Sequence, residues 1–245
     1  MADAEIRPEA PAAEHHHRDV QGGRERAAVF GLSDGLVSNV SLILGVAGAG
    51  PDPVVVALAG ITGLISGASS MAAGEYISMR AQTELFEREI ELERGEHQRN
   101  PNVEIVELTE VYVSRGIDPD TARELAIDVM RDPDVALETH AREELGITPG
   151  HLGNPTGAAA WSFLAFSLGA LIPLVPWFFA EGAGAVVASV VLGAIAALGV
   201  GAALAMVTDR PRVPAALRQL AFAAVPAAVT YTLGTIVGEV FNISV

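Results

Sequence analysis

The sequence predicts an all-α membrane protein, with five transmembrane helices and a small cytoplasmic helical domain inserted between the second and third. Two observations carry this. Half of the 245 residues are hydrophobic, yet the formal net charge is -15; a soluble domain that apolar is rarely so acidic. The two properties also occupy different stretches. Residues 27–61 and 158–207 are almost free of charge, whereas residues 84–144 are crowded with carboxylates.

Residues 1–26 are rich in Ala, Pro, Glu and Arg without hydrophobic periodicity and read as a disordered cytoplasmic tail. His15, His16 and His17 within it could bind metal, although such a run is more often incidental. No signal peptide is evident near Met1. A hydrocarbon core takes about 20 apolar residues as a helix, and five stretches meet that length: Ala28–Ala49, Val54–Ser78, Thr156–Ala180, Gly184–Thr208 and Leu217–Val240. Pro173 and Pro176 are expected to kink or shorten the third.

The arginines set the orientation. They precede the first span (Arg18, Arg24, Arg26), fill the segment between spans two and three, and return between spans four and five (Arg210, Arg212, Arg218). The remaining short loops hold none. This bias predicts a cytoplasmic N-terminus and inserted domain, with the C-terminus outside. The domain boundaries that follow are 1–26, 27–80, 81–155 and 156–245.

Within the inserted domain, residues 80–99 continue the second span without a breaker, so one long helix is expected to leave the membrane. Asn100-Pro101-Asn102 ends it. Helices are then predicted over Val103–Arg115, Asp120–Met130 and Asp134–Leu145, each bounded by Gly, Pro or Asp. The unit has little apolar surface, which points to packing against a partner subunit.

Ionisable groups inside a membrane mark paths or partners, because burying charge in lipid is costly. Asp34 lies in Gly31-Leu-Ser-Asp34-Gly35 of the first span, where small residues allow close helix approach. Glu75 lies in the second span, with Met71 one turn before it; a thioether beside a carboxylate favours a softer divalent ion over magnesium. Asp34, Met71 and Glu75 are therefore the candidate transport pathway.

In the inserted domain, Glu89, Glu93 and Glu96 line one helix face at i, i+4 and i+7. Glu104 and Glu107 repeat on the next helix, and His140 and Glu144 sit one turn apart on the last. Carboxylates with an occasional imidazole suit iron, manganese or zinc. Like charges at these spacings destabilise a lone helix unless cations neutralise them; a solvated acidic face is the plainer alternative. Other chemistries are missing. There is no cysteine, no phosphate-binding loop, no Glu-x-x-His pair within a predicted helix and no basic patch for nucleic acid, so the chain reads as neither an enzyme nor an ATP-driven pump.

The motifs Gly31-Leu-Ser-Asp34-Gly35-Leu and Ser70-Met71-Ala-Ala-Gly74-Glu75-Tyr76-Ile-Ser, the Glu-rich extension of the second span and the segment Ala141-Arg-Glu-Glu144-Leu-Gly146 resemble the vacuolar iron transporter family and its bacterial relatives. The resemblance runs from about residue 24 to 243. It implies a homodimer in a bacterial plasma membrane, with the metal path at the two-fold axis, exporting cytosolic ferrous iron by proton antiport. Manganese is a second candidate cargo, and zinc a ligand in vitro; no prosthetic group is implied. Asp34 and Met71 match the family's pore carboxylate and methionine, and Glu93, Glu96, Glu104, Glu107 and Glu144 match its metal-binding glutamates. Two positions depart from the plant pattern: Gly63 stands where a pore glutamate is expected, and His140-Ala141 where adjacent methionines are expected. A membrane-anchored metal sensor or buffer without transport is the competing reading.

Overall fold

The computed structural model describes residues 23–146, 148 and 153–241. The N-terminal tail, with His15–His17, lies outside them. The described chain forms eight α-helices: α1 (Gly23–Gly48), α2 (Pro53–Arg99), α3 (Pro101–Ser114), α4 (Pro119–Val129), α5 (Pro133–Glu143), α6 (Pro155–Leu174), α7 (Gly182–Val207) and α8 (Arg212–Phe241), with a 3-10 turn at Val175–Phe178. Helices α1, α2, α6, α7 and α8 are long and apolar enough to cross a membrane.

A repeated local signal starts most of them. An Asx-Pro pair opens α2, α3, α4, α5 and α6, with proline at the first helical position, where its missing N–H costs nothing. Asp52 accepts from the Val54 amide at 2.8 Å, Asp132 from Asp134 at 3.0 Å and Asn154 from Gly157 at 2.9 Å. These acceptors satisfy amides that the first turn leaves without partners.

Helix α1 is the centre of the membrane-type bundle. It packs most extensively on α6 and next on α8, while α2 rests chiefly on α6. Glycine permits the closest of these contacts. A Cβ on Gly35 would fall on the Phe166 backbone, and one on Gly169 would fall on the Leu32 carbonyl, so the two helices meet backbone to backbone. Leu36, Ile43 and Leu174 are fully buried beside this seam.

Helix α6 continues through Pro173 and then tightens into the 3-10 turn, so the prolines shorten the α-helix rather than break it early. Ser189 of α7 donates to the Pro173 carbonyl at 2.7 Å and accepts from Trp177 Nε1 at 3.0 Å, which ties the turn down. Helix α8 also contains a proline, Pro226, without interruption.

Helix α2 is continuous for 47 residues, about 70 Å at 1.5 Å per residue. That is more than twice the hydrocarbon thickness, so its second half projects out of the bundle and carries α3–α5. This extramembrane unit has small cores of its own: Leu108 and Tyr112 against Ala122 and Ala126, and Ile90 against Leu137. Leu85, Leu92, Val103 and Val106 remain exposed around them.

Candidate metal centre and membrane cleft

Three helices of the extramembrane unit converge on one buried cluster. Glu93 and His97 share a face of α2 one turn apart, Glu104 comes from the first turn of α3, and His140 from α5. One ligand atom from each lies within 4.8 Å of the others. His97 Nε2 is 3.1 Å from Glu93 Oε1, and His140 Nδ1 is 3.1 Å from the same oxygen. Glu104 Oε2 stands 3.6 Å from His140 Nδ1 and 3.9 Å from His97 Nε2. The two imidazoles meet edge to face at 4.6 Å. Glu144, one turn after His140, brings Oε1 to 3.5 Å of its ring.

Burial makes this arrangement unusual. Glu93, Glu104 and His140 are 6%, 3% and 0% exposed, and charged groups so enclosed are ordinarily paired or bound to a metal. Distances alone do not satisfy them. Among the described residues, neither ring nitrogen of His140 nor Glu104 Oε2 has a hydrogen-bond partner of sound geometry, despite the close oxygens. A cation at the centre of the cluster would meet these lone pairs directly.

Electrostatics agree with the geometry. Contact with His140 holds the Glu93 carboxyl below its ordinary range against the opposing effect of burial. Burial, reinforced by the charges of Glu93 and Glu107, pushes Glu104 up to about 7. Burial likewise raises Glu144, with Glu93 adding to it, and lowers His97. For His140 burial opposes protonation, but Glu93, Glu144 and Glu104 outweigh it and raise the ring. A positive charge among these carboxylates would favour the ionisation that burial and their mutual repulsion oppose.

The structure brings Glu93, Glu104 and His140 together, with Glu144 beside them. Glu96 and Glu107 are exposed and act on the cluster through their charge. Glu89, half-buried one turn before Glu93, is outside the group of four. Sequence reasoning passed over His97; the signal was its i, i+4 relation to Glu93, which places it on Glu93's face of α2. Glu138 and Glu143 form ion pairs with Arg142 and Arg115 instead.

In the apolar bundle, a cleft of about 320 Å³ lies between α1, α2 and α6. Asp34, Ser38 and Asn39 line it from α1, Gly63, Gly67, Ser70 and Met71 from α2, and Phe166 from α6. Asp34 and Met71 therefore face one space across two helices. Glu75, one turn beyond Met71 on α2, is half-buried and does not line the cleft.

Five long apolar helices, three of them lining a cleft that holds Asp34, define a polytopic helical membrane protein, and the extension of one cleft-lining helix carries a carboxylate–imidazole cluster of metal-ligating groups. Comparison with known proteins makes the assignment specific. The chain belongs to the VIT family, whose family model matches residues 25–235. It is 30% identical over 241 residues to vacuolar iron transporter 1 of Eucalyptus grandis, covering 94% of this chain and 97% of the relative. It is 31% identical over 191 residues to vacuolar iron transporter 1 of Arabidopsis thaliana, covering 76% of each. Identity to the vacuolar iron transporter of Acanthamoeba castellanii is 37% over 161 residues, 65% of this chain and 58% of that protein's length.

Proposed function

We propose that the protein exports ferrous iron, and manganese as a second cargo, from the cytoplasm in exchange for protons. The observation that carries this is the continuity of α2. The same helix presents Glu93 and His97 to the buried cluster and Met71 to the cleft that holds Asp34. The relatives named as iron transporters support iron as the cargo. A ligand set of carboxylates, imidazole and thioether selects divalent first-row ions over magnesium and calcium.

In this reading, which the arginine distribution supports, the extramembrane unit faces the cytoplasm and the cluster captures ions beneath the bundle. The ion passes to Met71 and Asp34, with Glu75, one turn nearer the cluster on α2, as a further carboxylate of the path. A carboxyl must lose its proton to bind a cation, so a proton arriving from outside displaces the ion outward. Proton influx then drives metal efflux. The protein works as a homodimer in the cell membrane, with the cleft completed between subunits; the apolar rim at Leu92, Val103 and Val106 is available for the partner's unit.

Reconstitution tests this. Purified protein in liposomes, given a pH gradient, is expected to move ferrous and manganous ions against the proton flow. Metal binding without gradient-dependent flux would instead identify a membrane-anchored buffer or sensor.

A further inference from the structure

We infer that Asn39 is a neutral oxygen ligand for the cation in the membrane cleft, taking a position that Gly63 leaves open. The inference rests on the cleft being the metal path.

Asn39 is 2% exposed and lies on α1 at the level where the bundle is apolar. Its Nδ2 donates to the Ala170 carbonyl of α6 at 2.6 Å. That oxygen can only accept, so the bond fixes which end of the amide faces α6. Oδ1 faces α2 at Gly63, which lines the cleft together with Asn39, Asp34, Ser38, Ser70 and Met71. There it is buried and, among the described residues, has no hydrogen-bond partner. An amide oxygen left bare in an apolar environment costs several kcal/mol by transfer scales, and it is retained where something else meets it.

The space in front of Oδ1 is set by α2. A Cβ built on Gly63 would lie 2.9 Å from Oδ1 and would run into the Leu42 side chain. Any larger residue at 63 would close off the amide oxygen, so the glycine and the asparagine work as a pair. Hard and borderline divalent ions accept amide carbonyls readily as ligands. Asn39 thus adds a second oxygen beside the Asp34 carboxylate and the Met71 thioether without adding a charge, which keeps the desolvation cost of the empty cleft low. Nδ2 holds the two helices together, and Oδ1 serves the cation.

The two roles separate experimentally. Asn39→Leu removes both. Gly63→Ala keeps the Nδ2 bond and obstructs Oδ1. Both variants, in liposomes with a pH gradient, are expected to raise KM for manganese about tenfold, the size of one lost neutral interaction. Manganese binding to the Glu93/His140 cluster should remain unchanged. KM within twofold of the parent in both folded variants would overturn the inference, while loss of flux in Asp34→Asn keeps the path itself in place. Absence of gradient-driven flux in the parent protein would take down path and ligand together. Should neither variant fold, infrared difference spectra decide. The probe is Mn²⁺ added to protein carrying ¹³Cγ-asparagine at position 39 alone, so that only the cleft amide reports. A shift of the side-chain carbonyl band supports ligation by Asn39, and an unmoved band refutes it.

Discussion

In the proposed function the extramembrane cluster and the membrane cleft face the same problem, holding a doubly charged ion, with different chemistry. The cluster packs Glu93, Glu104, His97 and His140 within 4.8 Å of one another, with Glu144 beside them. The cleft brings one carboxylate, Asp34, against serine hydroxyls, an amide and a thioether. The difference follows from solvent. At the edge of a water-exposed unit, excess carboxylates can be protonated or screened while no ion is bound, as the displacement of Glu104 to about 7 illustrates. Among apolar helices each further charge carries a desolvation penalty of several kcal/mol that little can relieve. In the proposed reading storage therefore uses charge, and passage uses neutral ligands around a single charge.

The sharpest way to break this contrast is to remove the single charge. Asp34→Ala is expected to reduce gradient-driven manganese flux to the liposome background while leaving binding at the cluster intact. Residual flux above background would mean that another group, with Glu75 the first candidate, shares the task. The corresponding change in the cluster should be milder for transport. His140→Ala or Glu104→Gln is expected to weaken metal binding about 10–100-fold, the scale seen when a metal site loses a supporting group. Flux at saturating metal should persist, because a collector sets the supply and not the passage. Isothermal titration on the full chain, paired with flux at high metal, checks both halves.

Acidity should separate the two sites further. Metal must displace protons from Glu104, which titrates at about 7, and from His140, whose ring is held above its ordinary value. Both hold their protons at pH 6, where Glu93 is already ionised, and Glu104 has largely released its own by pH 8. Cluster affinity is therefore expected to fall as pH drops from 8 to 6. Glu104→Gln should flatten that dependence. Affinity independent of pH across this range would show that the buried pair does not contact the ion.

Much of this was legible beforehand, for identifiable reasons. Length and the absence of charge locate the five apolar helices, and Asx-Pro pairs mark where α2 to α6 begin, because both signals are local. The unbroken run from Val54 through Arg99 predicted one long α2, and so it is. Which glutamates turn inward was harder. Glu93 and Glu96 look equivalent in a carboxylate run, yet Glu93 faces α3 and α5 while Glu96 faces water; the choice depends on packing between helices distant in sequence. His97 was overlooked for the same reason, and Asn39 because a neutral side chain in an apolar helix gives no charge to notice. The scarcity of apolar residues in the inserted unit led to the expectation that it leans on a partner. Leu108, Tyr112, Ala122 and Ala126 assemble a small core within it, and Leu92, Val103 and Val106 stay exposed beside that core.

The smallest expected effect probes stability and tests the contrast from the opposite side. With no metal bound, Glu104 is buried beside Glu93 and pushed up to about 7, so ionising it works against the folded state. The sign is set by proton uptake. Between its ordinary value of 4.5 and about 7, the folded chain holds a proton that the unfolded chain has released, and stability falls as pH rises through that window. At pH 8 Glu104→Gln removes the penalty while keeping the size of the side chain. The metal-free variant is therefore expected to melt about 2–4 °C above the parent, the change that ~1 kcal/mol produces in a chain of this length. Adding manganese should reverse the order, because only the parent can bind the ion tightly and gain stability from it. An equal manganese-induced gain in both proteins would mean that the ion sits elsewhere. The comparable substitution in the cleft, Asp34→Asn, should show no such reversal at manganese concentrations that fill only the cluster, since the cluster there is unaltered and both chains gain alike.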